Sequence, residues 1–261
     1  MNAAELAAYV GALAWLPQVG SWIYKAAVKP DMEIVFGIPP EIGYTTFGPI
    51  LNLSCAISVK RVDAVVRKIE MQIEHEKGQI SQLNWATLNE TFSEITSLTG
   101  EKAEIAKRQS AIALKVPTIS LAEKVIGFQD PEFTSETRRL ENKTIDASDH
   151  IKRTHPADFR QKTFEAREFG ELCEFYKKNF CWQQGKYKGL LRVYLTASNT
   201  PSLHNFEFCL EAYQIERLKQ NLDQIKQVLS DWIQPPPPEQ KRTNTWNWIY
   251  PELTQKLRGR N

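Results

Sequence analysis

An alternation of apolar and polar residues with period two is the feature that most limits what this chain can fold into. Over 51–59 every second residue is apolar, and over 65–75 the same alternation is broken only at Arg67. A strand with one buried face has this period, because successive side chains point to opposite sides of the sheet. The link at 60–63 is short enough for an antiparallel hairpin. The sequence therefore predicts two paired strands, the second of which buries Val65, Ile69, Met71 and Ile73.

Further short alternating stretches, separated by turn residues, predict more strands along the chain. They lie at 32–37, 42–47, 110–116, 124–129, 187–195 and 205–211. A turn cluster at 199–202 joins the last two into a second hairpin. Many short strands of this kind favour an antiparallel β-sandwich over a parallel sheet. Gly185 and Tyr187 open a late strand with a Gly-x-Tyr spacing that is reminiscent of the immunoglobulin-like (Ig-like) form of sandwich.

Helical periodicity appears in two other regions, so the predicted fold class is mainly β with helices (α+β). Residues 131–182 interrupt the strands as a helical insertion, with a polar, loose stretch at 134–155 followed by a helix over 157–179. An amphipathic helix is predicted over 213–233, ending before Pro235. Its apolar stripe would pack on the core, with a dimer seam as the alternative. The chain is therefore expected to consist of an apolar helical segment (1–29), the interrupted sandwich (30–212), the amphipathic helix (213–234) and a tail (235–261).

The first segment contains no charged residue from position 6 to position 24. The segment contains amphipathic aromatic residues of the kind found at the level of lipid headgroups, among them Trp15, Trp22 and Tyr24. Pro17 and Gly20 interrupt the helix, so three placements stay open, namely a spanning or re-entrant anchor, an interfacial helix, and packing on the protein's own core. The lysines that follow the segment place the rest of the chain on the cytoplasmic side if it spans. A cytoplasmic location agrees with four cysteines that show no disulfide spacing.

The tail combines a stiff proline run with aromatic residues at period two. Pro235 to Pro238 form the spacer, and Trp246, Trp248 and Tyr250 follow it. From position 239 onward there are five basic and two acidic residues. The aromatic strip could dock on the body of the protein, contact a partner protein or lipid, or stack on the bases of single-stranded nucleic acid.

A strong catalytic or metal-binding motif is not found in the sequence. The one polar cluster with suitable chemistry contains imidazole and carboxylate groups, which could hold a divalent metal or act as an oriented base, and its members are Asp146, Asp149, His150, His155 and Asp158. Asp149, His150 and His155 are the candidate metal ligands, although a solvated loop explains the same residues. A total of 33 Lys and Arg against 31 Asp and Glu gives a formal net charge of +2. A charge this small does not indicate binding to nucleic acid.

These features together predict a non-enzymatic, membrane-associated adaptor or assembly component without a cofactor. It would bind partner proteins, and lipid, through the sandwich and the aromatic tail, and it could form a homo-oligomer. The contact residues expected at the two ends are Trp15, Trp22, Tyr24, Trp246, Trp248 and Tyr250. The alternatives are a soluble metal-dependent hydrolase that uses the cluster from Asp146 to His155, and a single-stranded nucleic-acid binder that uses the tail.

Overall fold

The computed structural model describes residues 14–24, 28–37, 39–96, 102–110, 112–118, 121–233 and 245–255. The strands are β1 Asp31–Phe36, β2 Glu41–Thr45, β3 Gly48–Lys60, β4 Ala64–His75, β5 Ile80–Thr96, β6 Lys102–Ser110, β7 Leu114–Val116, β8 Ala122–Gln129, β9 Gly185–Leu195, β10 Ser202–Leu210 and β11 Leu253–Gln255. The helices are α1 at residues 14–24, α2 Pro131–Thr154, α3 Phe159–Glu165, α4 Arg167–Lys178, α5 Ala212–Lys219 and α6 Asn221–Ile233.

The strands form one antiparallel sheet that curls until its two edges meet. Its order is β1-β3-β8-β5-β4-β9-β10-β11, with β2 paired to the first half of β3, β6 to β5, and β7 to β4. The side chain of Gln255 in β11 joins the edges, because its Nε2 donates to the carbonyl oxygen of Ile34 at 2.7 Å. The amide of Phe36 donates to its Oε1 at 3.1 Å. The sheet is therefore nearly closed, and its concave side is the core.

The inward faces of the strands fill this core as the period-two pattern requires. In β3 the buried residues are Leu51, Leu53, Cys55, Ile57 and Val59. Phe206 of β10 lies opposite Gly189 of β9, and its ring occupies the space that a side chain at Gly189 would need. Each large apolar side chain buried in this way contributes about 1.5–3 kcal/mol to folding.

The helices α2 to α6 gather at one end of the curled sheet. The helix α2 follows β8, α4 precedes β9 and α5 follows β10, and these three strand ends lie together because the strands are antiparallel. Buried hydroxyl groups fix the contact, since Tyr44 Oη donates to the carbonyl of Tyr176 at 2.7 Å, and Tyr176 Oη donates to the carbonyl of Thr46 at 3.0 Å. Burying these hydroxyls costs little because each has a partner.

The mixed α+β class with a large antiparallel sheet is confirmed, but the Ig-like sandwich is not. The strands follow one another through backbone pairing from β1 to β11 instead of dividing into two stacked sheets. The sequence pattern predicts strands with one buried face, and both architectures have that feature. Three strands were not predicted where they lie, namely β5, β11 and most of β6.

Three helical predictions are corrected. The stretch 134–155 is not loose, since it forms most of α2. The buried residues of α2 have helical spacing, but two of the four are threonines, which do not form an apolar stripe: Phe133, Thr137, Leu140 and Thr144. The helix expected over 157–179 is two helices, separated at Ala166, whose backbone is extended at φ −65° and ψ 142°. The helix expected over 213–233 is divided into α5 and α6 at Gln220, and their buried residues pack within this chain.

A bulge in β4 corrects the predicted buried face of that strand. The pairing of β4 with β9 shifts register between Val66 and Lys68, next to the break in alternation at Arg67. A bulge inserts one residue and moves the side chains before it to the other face. As a result Val66 is buried and Val65 is exposed, whereas Ile69, Met71 and Ile73 are buried as predicted.

Because of Tyr187, the stability of this core decreases at strongly alkaline pH. Its hydroxyl donates to the carbonyl of Gln183 at 2.9 Å and accepts from the amide of Gln183 at 2.7 Å. Burial raises the pKa of Tyr187 to about 12. Because the folded-state pKa lies above the unfolded value of about 10, this contribution to stability is complete below pH ~10 and is lost as pH rises through ~12.

We expect the free energy of unfolding to fall more steeply between pH ~10 and ~12 in the parent chain than in Tyr187→Phe. Urea titrations of both proteins at several pH values measure the two slopes. Parallel slopes would show that the phenol does not titrate differently in the folded and unfolded states.

Candidate functional site

The helix α1 presents its apolar residues to solvent. Trp15 is 65% exposed and Trp22 72%, and Tyr24 at the end of the helix is 53% exposed. Five apolar side chains with helical spacing form one stripe, which we call the α1 stripe: Trp15, Leu16, Val19, Trp22 and Ile23. The described part of this segment therefore does not pack on the protein's own core.

No helix within the described ranges is both long enough and apolar enough to cross a membrane. Several residues on which the sequence predictions depend lie outside those ranges. They are positions 6–13, Lys25, the proline run Pro235 to Pro238, and the basic residues Lys241, Arg242, Lys256, Arg258 and Arg260.

Residues 245–255, which we call the C-terminal segment, dock on the sheet. Ile249 and Ile42 exchange two backbone hydrogen bonds, at 2.9 and 3.0 Å. The buried side chain of Asn221 holds Asn247 from both sides, donating to its carbonyl at 2.9 Å and accepting from its amide at 2.8 Å. This is the docked arrangement, one of the alternatives that the period-two aromatic pattern left open.

After docking, two of the three tail aromatic side chains pack against the rest of the protein and the third is exposed to solvent. Trp246 is partly buried and packs against the core, and the indole of Trp248 lies directly over Gly43 of β2. A side chain at position 43 would occupy the space that the indole fills. Tyr250 is 58% exposed, and its hydroxyl donates to Glu41 Oε1 at 3.0 Å.

A cleft of about 290 Å³ lies between the C-terminal segment and the outer face of the sheet. Its lining combines aromatic and uncharged polar side chains and includes Phe47, Asn52, Thr87, Gln129, Trp246 and Trp248. Strand pairing brings the polar residues together, because Gly127 lies opposite Asn52 on one side and Thr87 on the other. Gly127 leaves the space open, since a Cβ there would meet the hydroxyl of Thr87.

Glu41 connects the cleft to the exposed tyrosine of the tail. Its Oε2 accepts a hydrogen bond from Asn52 Nδ2 at 2.6 Å, and its Oε1 accepts the bond from Tyr250. Burial raises the pKa of Tyr250 above its ordinary value, and the hydrogen bond to Glu41 acts in the same direction. The orientation of the Asn52 amide is thus set by a carboxylate outside the cleft lining.

The histidine and aspartate cluster lies at the exposed end of α2. Asp149, His150 and His155 are all exposed, and His155 Nδ1 lies 2.9 Å from Thr154 Oγ1. Among the residues that the structure describes, no group of three or more His, Cys, Asp or Glu could hold a metal ion. Burial raises the pKa of the Cys55 and Cys181 thiols to about 12 each, so both stay protonated at neutral pH.

The polar residues of the cleft were not predicted from the sequence. Asn52, Thr87 and Gln129 belong to three strands, and no spacing in the sequence connects them. The available signal was the presence of glycine inside two strands, at Gly43 and Gly127, since glycine within a strand often marks a close approach.

We expect Gly43→Ala to displace Trp248 and weaken docking of the C-terminal segment, lowering the free energy of unfolding by about 1–3 kcal/mol. Hydrogen exchange at the Ile249 amide, which donates to Ile42, measures the docking directly. The matched control is Gly170→Ala in α4, where nothing lies within 4 Å of the added carbon. Equal protection of Ile249 in parent and Gly43→Ala would contradict the role given to Gly43.

We expect Asn221→Ala to lower the free energy of unfolding by about 2–3 kcal/mol, because it leaves two backbone groups of Asn247 without partners. Urea denaturation measures the change. Asn142→Ala, at an exposed position on α2, serves as the control and should change stability by less than about 0.5 kcal/mol. Similar values for the two variants would mean that Asn221 does not hold the segment.

Comparison with known proteins assigns no family to this chain. No protein-family model matches the chain. A comparison with curated proteins also finds no match to its sequence.

Proposed function

We propose that this protein is a non-enzymatic adaptor that associates with a membrane through the α1 stripe and binds a partner protein at the C-terminal segment. The observation that carries the proposal is the exposure of Trp15, Leu16, Val19, Trp22 and Ile23 on one side of α1. A contiguous exposed apolar surface of this kind is typical of contact with lipid or with another protein.

The residue types of the α1 stripe favour lipid. Tryptophan and tyrosine are enriched at the membrane–water interface, where one part of the ring is apolar and another can donate a hydrogen bond. A helix with one apolar side can lie in the interface with that side toward the acyl chains. Transfer of each large side chain from water contributes about 1.5–3 kcal/mol, so two or three of them suffice for measurable binding.

The sequence around α1 favours the cytoplasmic face of the membrane. Positions 6–24 carry no charge, and Lys25 and Lys29 follow. The cytoplasmic leaflet carries anionic lipids, and each nearby lysine contributes about 1 kcal/mol to binding there. Apolar insertion would supply most of the binding energy, with a smaller electrostatic contribution.

The partner surface lies at the C-terminal segment and the adjoining sheet. Partly buried tryptophans beside an exposed tyrosine are a composition common at protein interfaces. Trp246, Trp248 and Tyr250 provide it, and the cleft beside them is concave. This combination of residues favours binding of a partner protein over catalysis.

We expect the full chain to co-sediment with phosphatidylcholine vesicles, and more strongly when phosphatidylserine is present. Trp22→Ser should reduce the partition coefficient about tenfold or more, because the lost side chain contributes about 1.5–3 kcal/mol on burial. The measurement is the bound fraction as a function of lipid concentration.

The matched control is Trp232→Ser, which removes a tryptophan that is 47% exposed on α6 and outside the α1 stripe. It should bind vesicles like the parent chain. Failure of the parent to bind either vesicle, or equal binding by parent and Trp22→Ser, would overturn the membrane role of the α1 stripe.

A further inference from the structure

The cleft exists because the C-terminal segment and β2 separate after a single paired position. Ile249 pairs with Ile42, and continued pairing would place Asn247 opposite Tyr44. The amide of Asn247 bonds to Asn221 instead, at 2.8 Å, and the structure shows no backbone hydrogen bond between Asn247 and Tyr44. The two segments therefore diverge and leave about 290 Å³ between them.

The lining of the cleft contains no ionisable side chain. It consists of the rings of Phe47, Trp246 and Trp248, together with Ile50, Gly127 and the side chains of three threonines, one asparagine and one glutamine. An ion placed there would lose part of its hydration without a charged partner in the lining, which is costly, and the neighbouring Glu41 carboxylate is already bonded to Asn52 and Tyr250. The occupant that fits this lining is uncharged.

Two groups in the lining of the cleft can only donate hydrogen bonds, the indole N–H groups of Trp246 and Trp248. The indole N–H groups of Trp246 and Trp248 and the amide of Gln129 donate to no other residue that the structure describes. Thr45 Oγ1 already accepts from the amide of Phe47 at 3.1 Å. Indole nitrogen can only donate, so the complementary ligand presents acceptors.

We propose that the cleft binds an uncharged, proline-rich segment of a partner protein in the polyproline II conformation. The inference rests on the proposed partner binding at the C-terminal segment and names the partner's chemistry. Proline has a carbonyl oxygen and no backbone N–H, so a run of prolines is an acceptor without a donor.

Two further properties of such a segment match the site. The C–H groups of a proline ring pack well on the electron-rich face of an indole or phenyl ring, and the cleft provides Trp246, Trp248 and Phe47 for this contact. A polyproline II helix is largely formed before binding, so little conformational entropy is lost on docking in an aromatic groove.

The test uses the full chain and a capped polyproline peptide of about ten residues, with a capped Gly-Ser peptide of the same length as the control. Calorimetry should show binding of the polyproline peptide alone. In ¹H–¹⁵N spectra the indole signals of Trp246 and Trp248 should shift on titration, whereas those of Trp15 and Trp22 should not. Equal binding of both peptides, or no binding of either, would overturn the proposal.

Gln129→Glu tests the donor argument with almost no change of size. It replaces an amide donor by a carboxylate that repels carbonyl oxygens, and should weaken peptide binding about tenfold or more. Gln82→Glu adds the same charge at an exposed position of β5 outside the cleft, and should bind like the parent. Equal affinity of the two variants would assign the peptide to another surface.

The chain's own proline run provides a second control. A variant with serine at each position from Pro235 to Pro238 should bind the peptide like the parent. Binding that appears only in this variant would assign the cleft to the chain's own prolines and overturn the partner assignment. Because vesicle binding reports on the α1 stripe alone, loss of peptide binding with vesicle binding retained rejects this inference without rejecting the membrane role.

Discussion

Closure of the curled sheet by the C-terminal segment is the interaction on which the rest of the structure depends. Without it, the edge formed by β1 and β2 and the edge formed by β10 would both present unpaired backbone groups to solvent, which is a liability for any sheet. The segment pairs with β10 through β11, with β2 through Ile249, and with β1 through the Gln255 side chain. Residues from opposite ends of the sequence thus complete one sheet, and the positions of Trp246, Trp248 and Tyr250 are consequences of that closure.

The same closure explains why the cleft is polar on one side and aromatic on the other. The outer face of the sheet carries the polar half of each period-two pattern, which includes Asn52 and Thr87. The closing segment arrives over that face and brings two indoles with it. The segment diverges from β2 where the amide of Asn247 bonds to Asn221, and a cleft remains between those indoles and the polar row.

The elements that could be predicted from the sequence are those whose apolar and polar residues lie on opposite faces. Little else could be predicted. The strands β3, β9 and β10 place most of their large apolar residues at every second position, and the tail aromatics are conspicuous because tryptophan is rare. The helix α2 was missed because threonines at 137 and 144 hide half of its buried stripe, although Asp130 caps its first turn with hydrogen bonds at 2.9 and 3.1 Å. The cleft was not predictable, because Asn52, Thr87 and Gln129 become neighbours only through strand register, which no local pattern determines.

The sheet also sets the distance between the cleft and the start of β1, the strand that follows α1 in the sequence. The helix α1 precedes β1, whose first residue, Asp31, pairs with Lys60 at the end of β3, whereas the cleft lies beside Asn52 of the same strand. Eight residue steps at ~3.3 Å separate Lys60 from Asn52, so the cleft lies about 26 Å along the strand from the end that follows α1. This separation exceeds the Debye length of about 8 Å at physiological salt, so charges beside the start of β1 have little influence at the cleft. An uncharged cleft and the uncharged partner segment proposed for it fit this arrangement, because binding there would not depend on charges at the far end of β3.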